Sequence, residues 1–317
     1  MGKIRTAVVG TGYLGRFHAQ KYASLESSEL VAVAEIDREQ GERVATELNT
    51  RWVEDYTTLI GEVDAVSIVV PTQLHHEVAS FFLDHGVHVL LEKPITVTVE
   101  QAEDLILRGR QSEAILQVGH LERFNPAVQA LSSVLEAPLF IESHRLAPFN
   151  PRGADVSVIL DLMIHDIDII QDLVDSPIRH ISPIGVPVLT NETDISNARV
   201  EFENGCVANV TASRVSTKSE RKMRVFQHNA YIVVDFQEKT LSVYHKRDYS
   251  EQITDLSAVQ ADLSTFESGD ALMEEIGAFL HSIQTGERPL VRGEEGKRAL
   301  ETALQINKQI TDHPVGL

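Results

Sequence analysis

The sequence is poor in the residues that build disulfide scaffolds and membrane spans. Cys206 is the single cysteine, so no internal disulfide can form. No stretch approaches the ~20 consecutive apolar residues that a transmembrane helix needs. The first residues, MGKIR, lead into a strand pattern without the apolar core of a secretory signal. These absences argue against a disulfide-stapled secreted module and against a membrane protein, and they predict a soluble protein of the reducing cytoplasm.

Positive charge is scarce as well. The chain has 28 Lys and Arg against 47 Asp and Glu, which gives a net charge of −19 at pH 7. A field of this sign repels nucleic acids and anionic membranes, so neither is expected as a partner. An anionic small ligand would require basic residues concentrated in one place.

The chain is long enough for two domains. Its 317 residues, 43% hydrophobic and 24% charged, have an ordinary globular composition and exceed the ~200 residues that one core usually holds. Up to about residue 120, short β-rich runs alternate with helical patterns, which is typical of βαβ units and a parallel sheet. Strands are predicted there over 5–9, 30–34, 65–70, 88–91 and 114–118.

Beyond residue 120 the pattern changes. A strand is predicted over 140–146 and a long helix over 156–174, and consecutive β-rich runs follow between 181 and 244. Two helical patterns close the chain. We therefore predict an α/β fold with an N-terminal Rossmann domain over 1–120 and a C-terminal α+β domain with a large open mixed sheet over 121–317.

A glycine-rich turn follows the first predicted strand. The sequence GTGYLG at 10–15 also opens the first helix, which is the context of a dinucleotide-binding turn whose helix N-terminus faces a pyrophosphate. About 20 residues later, Glu35 and Asp37 end the second strand, where a carboxylate binds the adenosine ribose. Such a carboxylate repels a 2′-phosphate, so the prediction is NAD, although Arg38 leaves a dual preference open. A solvated strand end is the alternative for the two acids.

Two further features lie at the ligand-binding edge of the predicted parallel sheet. Lys93, within Glu92-Lys93-Pro94, follows strand 88–91, which suits a catalytic or nicotinamide-contacting cation. Local sequence alone leaves a surface charge equally open. His75 and His76 follow strand 65–70, where a histidine that merely starts a helix near the cofactor is as good an interpretation as a chemical role.

A polar stripe interrupts the otherwise apolar long helix. Asp161, His165, Asp168 and Asp172 are spaced i, i+4, i+7 and i+11, which places them on one face. We interpret His165 as a proton acceptor and Asp161 as its orienting partner. Asp168 and Asp172 fit a solvated or packing-bonded end, and His165 itself could be a structural histidine. No metal is predicted, because one helix offers too few ligands and Lys93 would repel the ion.

Basic residues do concentrate in one place. Five fall within 11 residues: Arg214, Lys218, Arg221, Lys222 and Arg224. With the upstream Arg145 and Arg152, this basic run could supply charge-assisted hydrogen bonds to a phosphorylated substrate. The alternative is an edge strand whose cations discourage sheet pairing.

Taken in order, segments spread over nearly the whole chain resemble the glucose-fructose oxidoreductase, inositol dehydrogenase and MocA family. The resemblance is carried by GTGYLG (10–15), VPTQLH (70–75), GVHVLLEKP (86–94), RFNP (123–126) and DLMIHDID (161–168). It implies a Rossmann domain, an open sheet that forms a homodimer or homotetramer, and hydride transfer between a nicotinamide and a sugar or cyclic polyol. It also implies Lys93, Asp161 and His165 as the catalytic residues.

The remaining site residues are assigned beside this resemblance. The predicted NAD contacts are Gly10, Thr11, Gly12, Tyr13, Leu14, Gly15, Glu35, Asp37, Pro71, Thr72, His75, Glu92, Lys93 and Arg123. The predicted substrate contacts are Arg145, Arg152, Arg214 and Lys218.

Segments of the second half, SHRLAPF (143–149) and NGCVANVTASRVS (204–216), are similar to bacterial family members that oxidise C3 of UDP-N-acetylglucosamine in lipid A precursor synthesis. One departure is that DVSVIL (155–160) stands where many members carry glycines before the catalytic aspartate.

The predicted function is NAD-dependent oxidation of a ring secondary hydroxyl of a sugar, with C3 of UDP-N-acetylglucosamine favoured. An inositol or free-sugar dehydrogenase of the same family is the first alternative, and it would have no use for the basic run. A non-catalytic NAD(H)-binding regulator is the second. The presence of Lys93, Asp161 and His165 together argues against the regulator.

Overall fold

The computed structural model describes residues 2–151, 153, 156–246, 259–266 and 269–313. These residues form two compact units. The first extends to Leu121 and resumes over Asp270–Leu300, and the second holds the described residues from Glu122 to Gly269 and from Glu301 onward. The first break lies next to the predicted boundary after residue 120. Residues 270–300, which the sequence assignment placed in the second domain, pack with the first.

Helices are distributed over both units. Those of the described ranges are α1 (Tyr13–Ser24), α2 (Arg38–Leu48), α3 (Thr72–Asp84), α4 (Val99–Gln111), α5 (Pro126–Val134), α6 (Ile164–Val174), α7 (Ala271–Thr285) and α8 (Gly293–Asp312). Helix α7 belongs to the first unit because its apolar face, including Ile276 and Phe279, joins the core cluster of that unit. None of the described helices is long and apolar enough to cross a membrane.

The first unit is built on a parallel sheet. Its strands are β1 (Ile4–Val9), β2 (Ser28–Ala34), β3 (Arg51–Val53), β4 (Ala65–Ile68), β5 (His88–Glu92) and β6 (Leu116–Gly119), in the order β3-β2-β1-β4-β5-β6. This is the doubly wound order in which ligands bind at the carboxyl ends of β1 and β4. The sequence analysis missed β3, because three residues are too few to show a periodic pattern.

The second unit is built on a mixed sheet. Its strands are β7 (Pro138–Leu146), β8 (Ile178–Val186), β9 (Ile195–Phe202), β10 (Val207–Ser213), β11 (Glu220–Gln227), β12 (Ala230–Asp235), β13 (Thr240–Lys246) and β14 (Val259–Thr265). They lie in the order β14-β13-β12-β11-β7-β10-β9-β8. Strands β7 and β10 pair in parallel, and the other neighbours are antiparallel. The predicted α/β architecture with a large mixed C-terminal sheet is confirmed.

Two predictions for the second unit need correction. Arg221, Lys222 and Arg224 lie on β11, which pairs with β7 on one side and β12 on the other, so the edge-strand interpretation of these three cations is wrong. The predicted helix over 156–174 is not uniform. It begins with a π-helical turn, Ile159–Met163, and continues as α6.

Candidate active site

The glycine-rich turn lies at the carboxyl end of β1. Gly10 has a φ of +87°, and a Cβ there would come within 2.5 Å of the carbonyl oxygen of Val69. A Cβ on Gly15 would lie 1.9 Å from the carbonyl oxygen of Gly10. Both positions therefore require glycine. Gly12 caps α1, and a side chain there would meet only open space, which leaves room for a pyrophosphate to approach the helix N-terminus.

A cavity of about 330 Å³ opens beside this turn. Its wall includes Gly10, Glu35, Ile36, Tyr56 and Pro71. The volume falls within the range of small-molecule sites, and the wall is mostly apolar with a carboxylate, as an adenosine pocket requires. The first turn of α1 carries no acidic residue, so nothing on the helix opposes an anion there.

Glu35 reaches from the end of β2 to the glycine-rich turn. Its Oε2 accepts hydrogen bonds from the backbone N–H of Thr11 at 2.7 Å and from the Thr11 hydroxyl at 3.0 Å. Asp37 instead caps α2 by accepting the backbone N–H of Gln40 at 3.1 Å. Glu35 also accepts from the Asp37 backbone N–H and the Gln40 side chain, both at 3.2 Å. Glu35 is thus fixed against the predicted cofactor turn and lines the cavity, whereas Asp37 is a helix cap that does not line it.

Trp52 is a neighbour of Glu35 that the sequence analysis missed. Its indole N–H donates to the Glu35 carbonyl oxygen at 2.9 Å, and the Arg38 guanidinium lies 5.6 Å from its ring centre. Trp52 therefore anchors the backbone of Glu35. Trp52 is the only tryptophan in the sequence, and this was the one feature that could have drawn attention to it.

The turn that carries Lys93 is tied to the start of α3. Helix α3 begins at Thr72, with Pro71 at its cap position. His75 is buried and its ring nitrogens contact the carbonyl oxygens of Pro94 at 2.9 Å and Val70 at 3.0 Å. Burial lowers the pKa of His75 although the backbone contacts raise it. The geometry gives His75 a structural bridging contact at the predicted cofactor edge.

Asp161 and His165 lie in the second unit, where the helix changes character. Asp161 sits in the π-helical turn, its backbone N–H donating to Ser157 at 3.1 Å, and His165 is the second residue of α6. Both side chains are half-buried. π-Helical turns within helices are frequent at functional sites. The local backbone is therefore consistent with the functional role predicted for Asp161 and His165.

Arg123 contacts the last two acidic residues of the polar stripe. Its guanidinium lies 2.7 Å from the Asp172 carboxylate and 3.7 Å from that of Asp168. The interpretation of Asp168 and Asp172 as a packing-bonded end is confirmed. Arg123 is itself buried, and its predicted cofactor contact stays a prediction.

Arg145 has a fully enclosed guanidinium. It lies 2.5 Å from Asp166 and 2.7 Å from Glu122, with the ring of Phe236 at 5.5 Å. Burial opposes the charge, but the two carboxylates outweigh it and raise the pKa of Arg145 above its usual value. The side chain is only 2% exposed, so the structure assigns it an internal ion pair, and its contact to substrate stays a prediction.

The other predicted substrate residues have different surroundings. Arg214 is buried and donates to the carbonyl oxygens of Gly153, at 2.7 Å, and Val156, in the segment before the π-helical turn. Lys218 is exposed in the loop between β10 and β11. Arg152 lies outside the described residues.

Both parts of the chain match models of known protein families. Residues 4–120 match a family described as an oxidoreductase family with an NAD-binding Rossmann fold. Residues 139–233 match the GFO/IDH/MocA C-terminal domain.

Individual relatives are dehydrogenases. The chain is 40% identical to the UDP-N-acetylglucosamine 3-dehydrogenase of Acidithiobacillus ferrooxidans over 304 residues, 96% of each chain. It is 29% identical to the scyllo-inositol 2-dehydrogenase (NAD(+)) of Bacillus subtilis over 233 residues, 68% of each chain. A solved structure of the Acidithiobacillus ferrooxidans enzyme superposes with a TM-score of 0.92 at 39% identity, covering 97% of both chains.

Proposed function

The chain belongs to the GFO/IDH/MocA family of NAD-binding oxidoreductases, and we propose that within this family it oxidises C3 of UDP-N-acetylglucosamine to the 3-keto sugar. The resemblance, the dehydrogenase class and the NAD cofactor predicted from the sequence are confirmed. The sugar is the proposed part.

The extent of similarity supports this substrate over inositol. The UDP-N-acetylglucosamine 3-dehydrogenase matches 96% of the chain, which takes in both units, whereas the scyllo-inositol dehydrogenase matches 68% at lower identity. A nucleotide sugar also needs cations for its diphosphate, and Lys218 is an exposed cation in the basic run.

The proposed chemistry divides among three side chains. Bound NAD supplies the hydride acceptor. His165 accepts the proton of the ring hydroxyl, and Asp161 orients its imidazole and balances the charge that develops. Lys93, as an ammonium, stabilises the developing alkoxide. Assigning these roles to Lys93, Asp161 and His165 rests on the family motifs and on the position of each residue in its own unit.

Further parts of the proposal concern setting and assembly. We place the protein in the cytoplasm, in lipid A precursor synthesis, without a nucleic acid or membrane partner. We also propose a homodimer or homotetramer formed through the mixed sheet. The strongly acidic net charge of −19 supports the absence of nucleic acid.

The experiment that tests the function follows NADH absorbance with NAD and a panel of UDP-sugars, free sugars and inositols. UDP-N-acetylglucosamine should give the highest kcat/KM, and His165→Ala should lower kcat by ~100-fold or more while NAD still binds. A preference for an inositol would overturn the substrate, and near-normal turnover of the variant would remove His165 from the proton path.

A further inference from the structure

Three ionisable side chains meet in the interior of the first unit, and one of them, Glu92, directly precedes Lys93. His18 comes from α1, Glu92 from β5 and Glu275 from α7, with exposures of 0%, 9% and 0%. One nitrogen or oxygen of each lies within 4.8 Å of those of the other two. We refer to these three residues as the buried triad.

Two members of the buried triad have defined partners. The His18 Nε2 lies 3.1 Å from Oε1 of Glu92, and its Nδ1 lies 3.1 Å from the hydroxyl of Ser67. Oε2 of Glu92 accepts the backbone N–H of Lys93 at 3.2 Å. The Glu92 carboxylate thus joins His18 to the main chain of the proposed catalytic lysine.

The position of Glu92 is enforced from the neighbouring strand. A Cβ on Gly119 of β6 would lie 2.9 Å from Oε1 of Glu92. Glycine at this position leaves room for the carboxylate that a larger residue would displace. Sheet packing and hydrogen bonds therefore hold the same side chain.

Glu275 has the opposite character. Neither carboxyl oxygen has a hydrogen-bond partner among the residues that the structure describes, although its backbone carbonyl accepts from the Gln117 side chain at 3.1 Å. The ionisable groups around it are Tyr22 and His18 of α1 and Glu92 of β5. Lys93 follows Glu92 directly and its charge acts on that carboxylate.

Two carboxylates cannot both be ionised at low cost in a closed site with one imidazole. Burial and the charge of Glu92 raise the pKa of Glu275 well above its usual value. Burial also acts against ionised Glu92, but the hydrogen bond and charge of His18, with the charge of Lys93, hold the pKa of Glu92 below its usual value. The two environments drive the two acids to different protonation states.

We propose that Glu275 is kept as a neutral carboxylic acid and is a positioning residue for Lys93, acting through Glu92. Its proton leaves one negative charge in the buried triad, on Glu92, where His18 and the Lys93 main chain hold it. If Glu275 ionised, a second negative charge would stand beside Glu92, the residue that directly precedes Lys93, and would favour the ammonium form of Lys93. The link to catalysis rests on the proposed role of Lys93.

Infrared spectroscopy tests the protonation state directly. The wild-type protein near pH 7.5 should show the carbonyl stretch of a buried neutral carboxylic acid. Glu275→Gln should remove this band. Glu274→Gln, on the same helix but exposed, should keep it. Absence of the band from the wild type would overturn the proposal whether or not the variants fold, and so would one equivalent of a divalent metal retained by the purified protein and lost in Glu275→Gln.

The positioning role has a second readout. The rate of Lys93 acylation, followed by mass spectrometry as a function of pH, reports its neutral amine. Glu275→Gln should leave the midpoint of this profile in place, because a neutral amide replaces a neutral acid. Glu92→Gln should move the midpoint to lower pH by about half a unit or more, because the one negative charge of the buried triad is gone, and the alkaline limb of kcat should move with it. Glu274→Gln should also leave the profile in place, and a midpoint that moves to lower pH in Glu275→Gln would show that Glu275 is ionised and overturn the proposal.

These measurements separate the two ideas. If no sugar is oxidised, the proposed function fails, while the infrared band and the acylation midpoint still decide the role of Glu275. If a sugar is oxidised and neither the acylation midpoint nor the kcat profile moves in Glu92→Gln, the proposed function stands and the positioning role fails.

Discussion

At the scale of single residues, neighbouring acids at the end of β2 have different functions. Asp37 satisfies a backbone N–H in the first turn of α2, whereas Glu35 bonds to Thr11 in the glycine-rich turn and lines the cavity. An adenosine ribose in the cavity would reach the Glu35 carboxylate. Asp37 is not among the residues that line the cavity.

Substitution of these two acids gives the first prediction. Glu35→Ala should weaken NAD binding by about 10-fold or more, because hydrogen bonds to a charged acceptor are lost. It should also reduce the difference in affinity between NAD and NADP. Asp37→Ala should cost about 1 kcal/mol of stability through the lost cap and leave the preference unchanged. Fluorescence titration with NADH and NADPH measures both. A changed preference in Asp37→Ala alone would make Asp37 the ribose ligand.

The backbone requirements that could be predicted from the sequence are the local ones. Gly10 and Gly15 belong to one turn, and their backbone demands can be read from six consecutive letters. Arg145 and Arg214 have their partners 20 to 61 residues away. In the sequence, a basic residue that is paired with distant groups cannot be told from one that binds a phosphate. Only the fold separates these two cases.

At the scale of elements, the turn between β8 and β9 is organised by Asp194. Its Oδ2 accepts the backbone N–H groups of Val188, Leu189 and Thr190 at 2.8, 2.6 and 2.9 Å. Burial alone would raise the pKa of Asp194, but these bonds lower it from 3.8 to about 2. The carboxylate therefore stabilises the folded state wherever it is ionised.

This shift gives a pH-dependent prediction. Since the folded pKa is depressed, the stabilisation is complete above the unfolded value and is lost as pH falls through the folded value. Asp194→Asn should lower the free energy of unfolding by about 2 kcal/mol at pH 7 and by about half as much near pH 3. Urea unfolding at both pH values measures the difference. An equal loss of unfolding free energy at the two pH values would show that the stabilisation does not depend on the ionised form of Asp194.

The segment before the π-helical turn gives the next prediction, a contrast between two cations. Arg214→Met should lower stability by about 2–3 kcal/mol, because carbonyl oxygens of Gly153 and Val156 lose their donor. It should also lower kcat, because this segment leads into Asp161. Lys218→Ala should instead raise the KM for UDP-N-acetylglucosamine by about 10-fold with unchanged stability.

Steady-state kinetics and thermal unfolding of both variants separate an anchoring from a substrate-binding cation. A KM effect confined to Arg214→Met would reverse the assignment.

Elements escaped prediction where they leave little periodic signal. Strand β3 has three residues, and β14 is exposed along nearly its whole length, so neither shows an alternation of buried and exposed positions. The π-helical turn changes the hydrogen-bond spacing but keeps the apolar pattern of the helix that contains it. Elements with a continuous buried face, such as β1, β4 and β10, were all predicted.

At the scale of the whole molecule, the first of the two closing helical patterns predicted the helix α7 but not the unit to which it belongs. An apolar face predicts that a helix packs against a hydrophobic core, but it does not identify which core. The chain returns to the first unit after the mixed sheet, so Glu275 of α7 lies in the interior behind β5, far from it in sequence. The buried triad could not be inferred from sequence for this reason.

The mixed sheet carries a row of rings on the face opposite its buried Val225 and Ile232. Phe140, Phe226, Tyr231 and Tyr244 follow one another across β7, β11, β12 and β13, with ring centres 5.6, 4.8 and 5.6 Å apart. All four are half-buried within their own chain. Large aromatic side chains in a contiguous row are typical of the core of a protein interface, and a second copy of this chain is the proposed occupant.

The last prediction tests that assembly. Light scattering after gel filtration should give two or four times the chain mass of 35.2 kDa. Tyr231→Arg should shift the mass toward one chain, because in a symmetric interface each substitution buries its charge twice. Leu189→Arg, which adds the same charge at an apolar residue that is 60% exposed beyond β8, is the matched control and should keep the wild-type mass. If only Leu189→Arg dissociates the assembly, the interface lies at the β8 edge instead. A wild-type mass of one chain would contradict the proposed assembly.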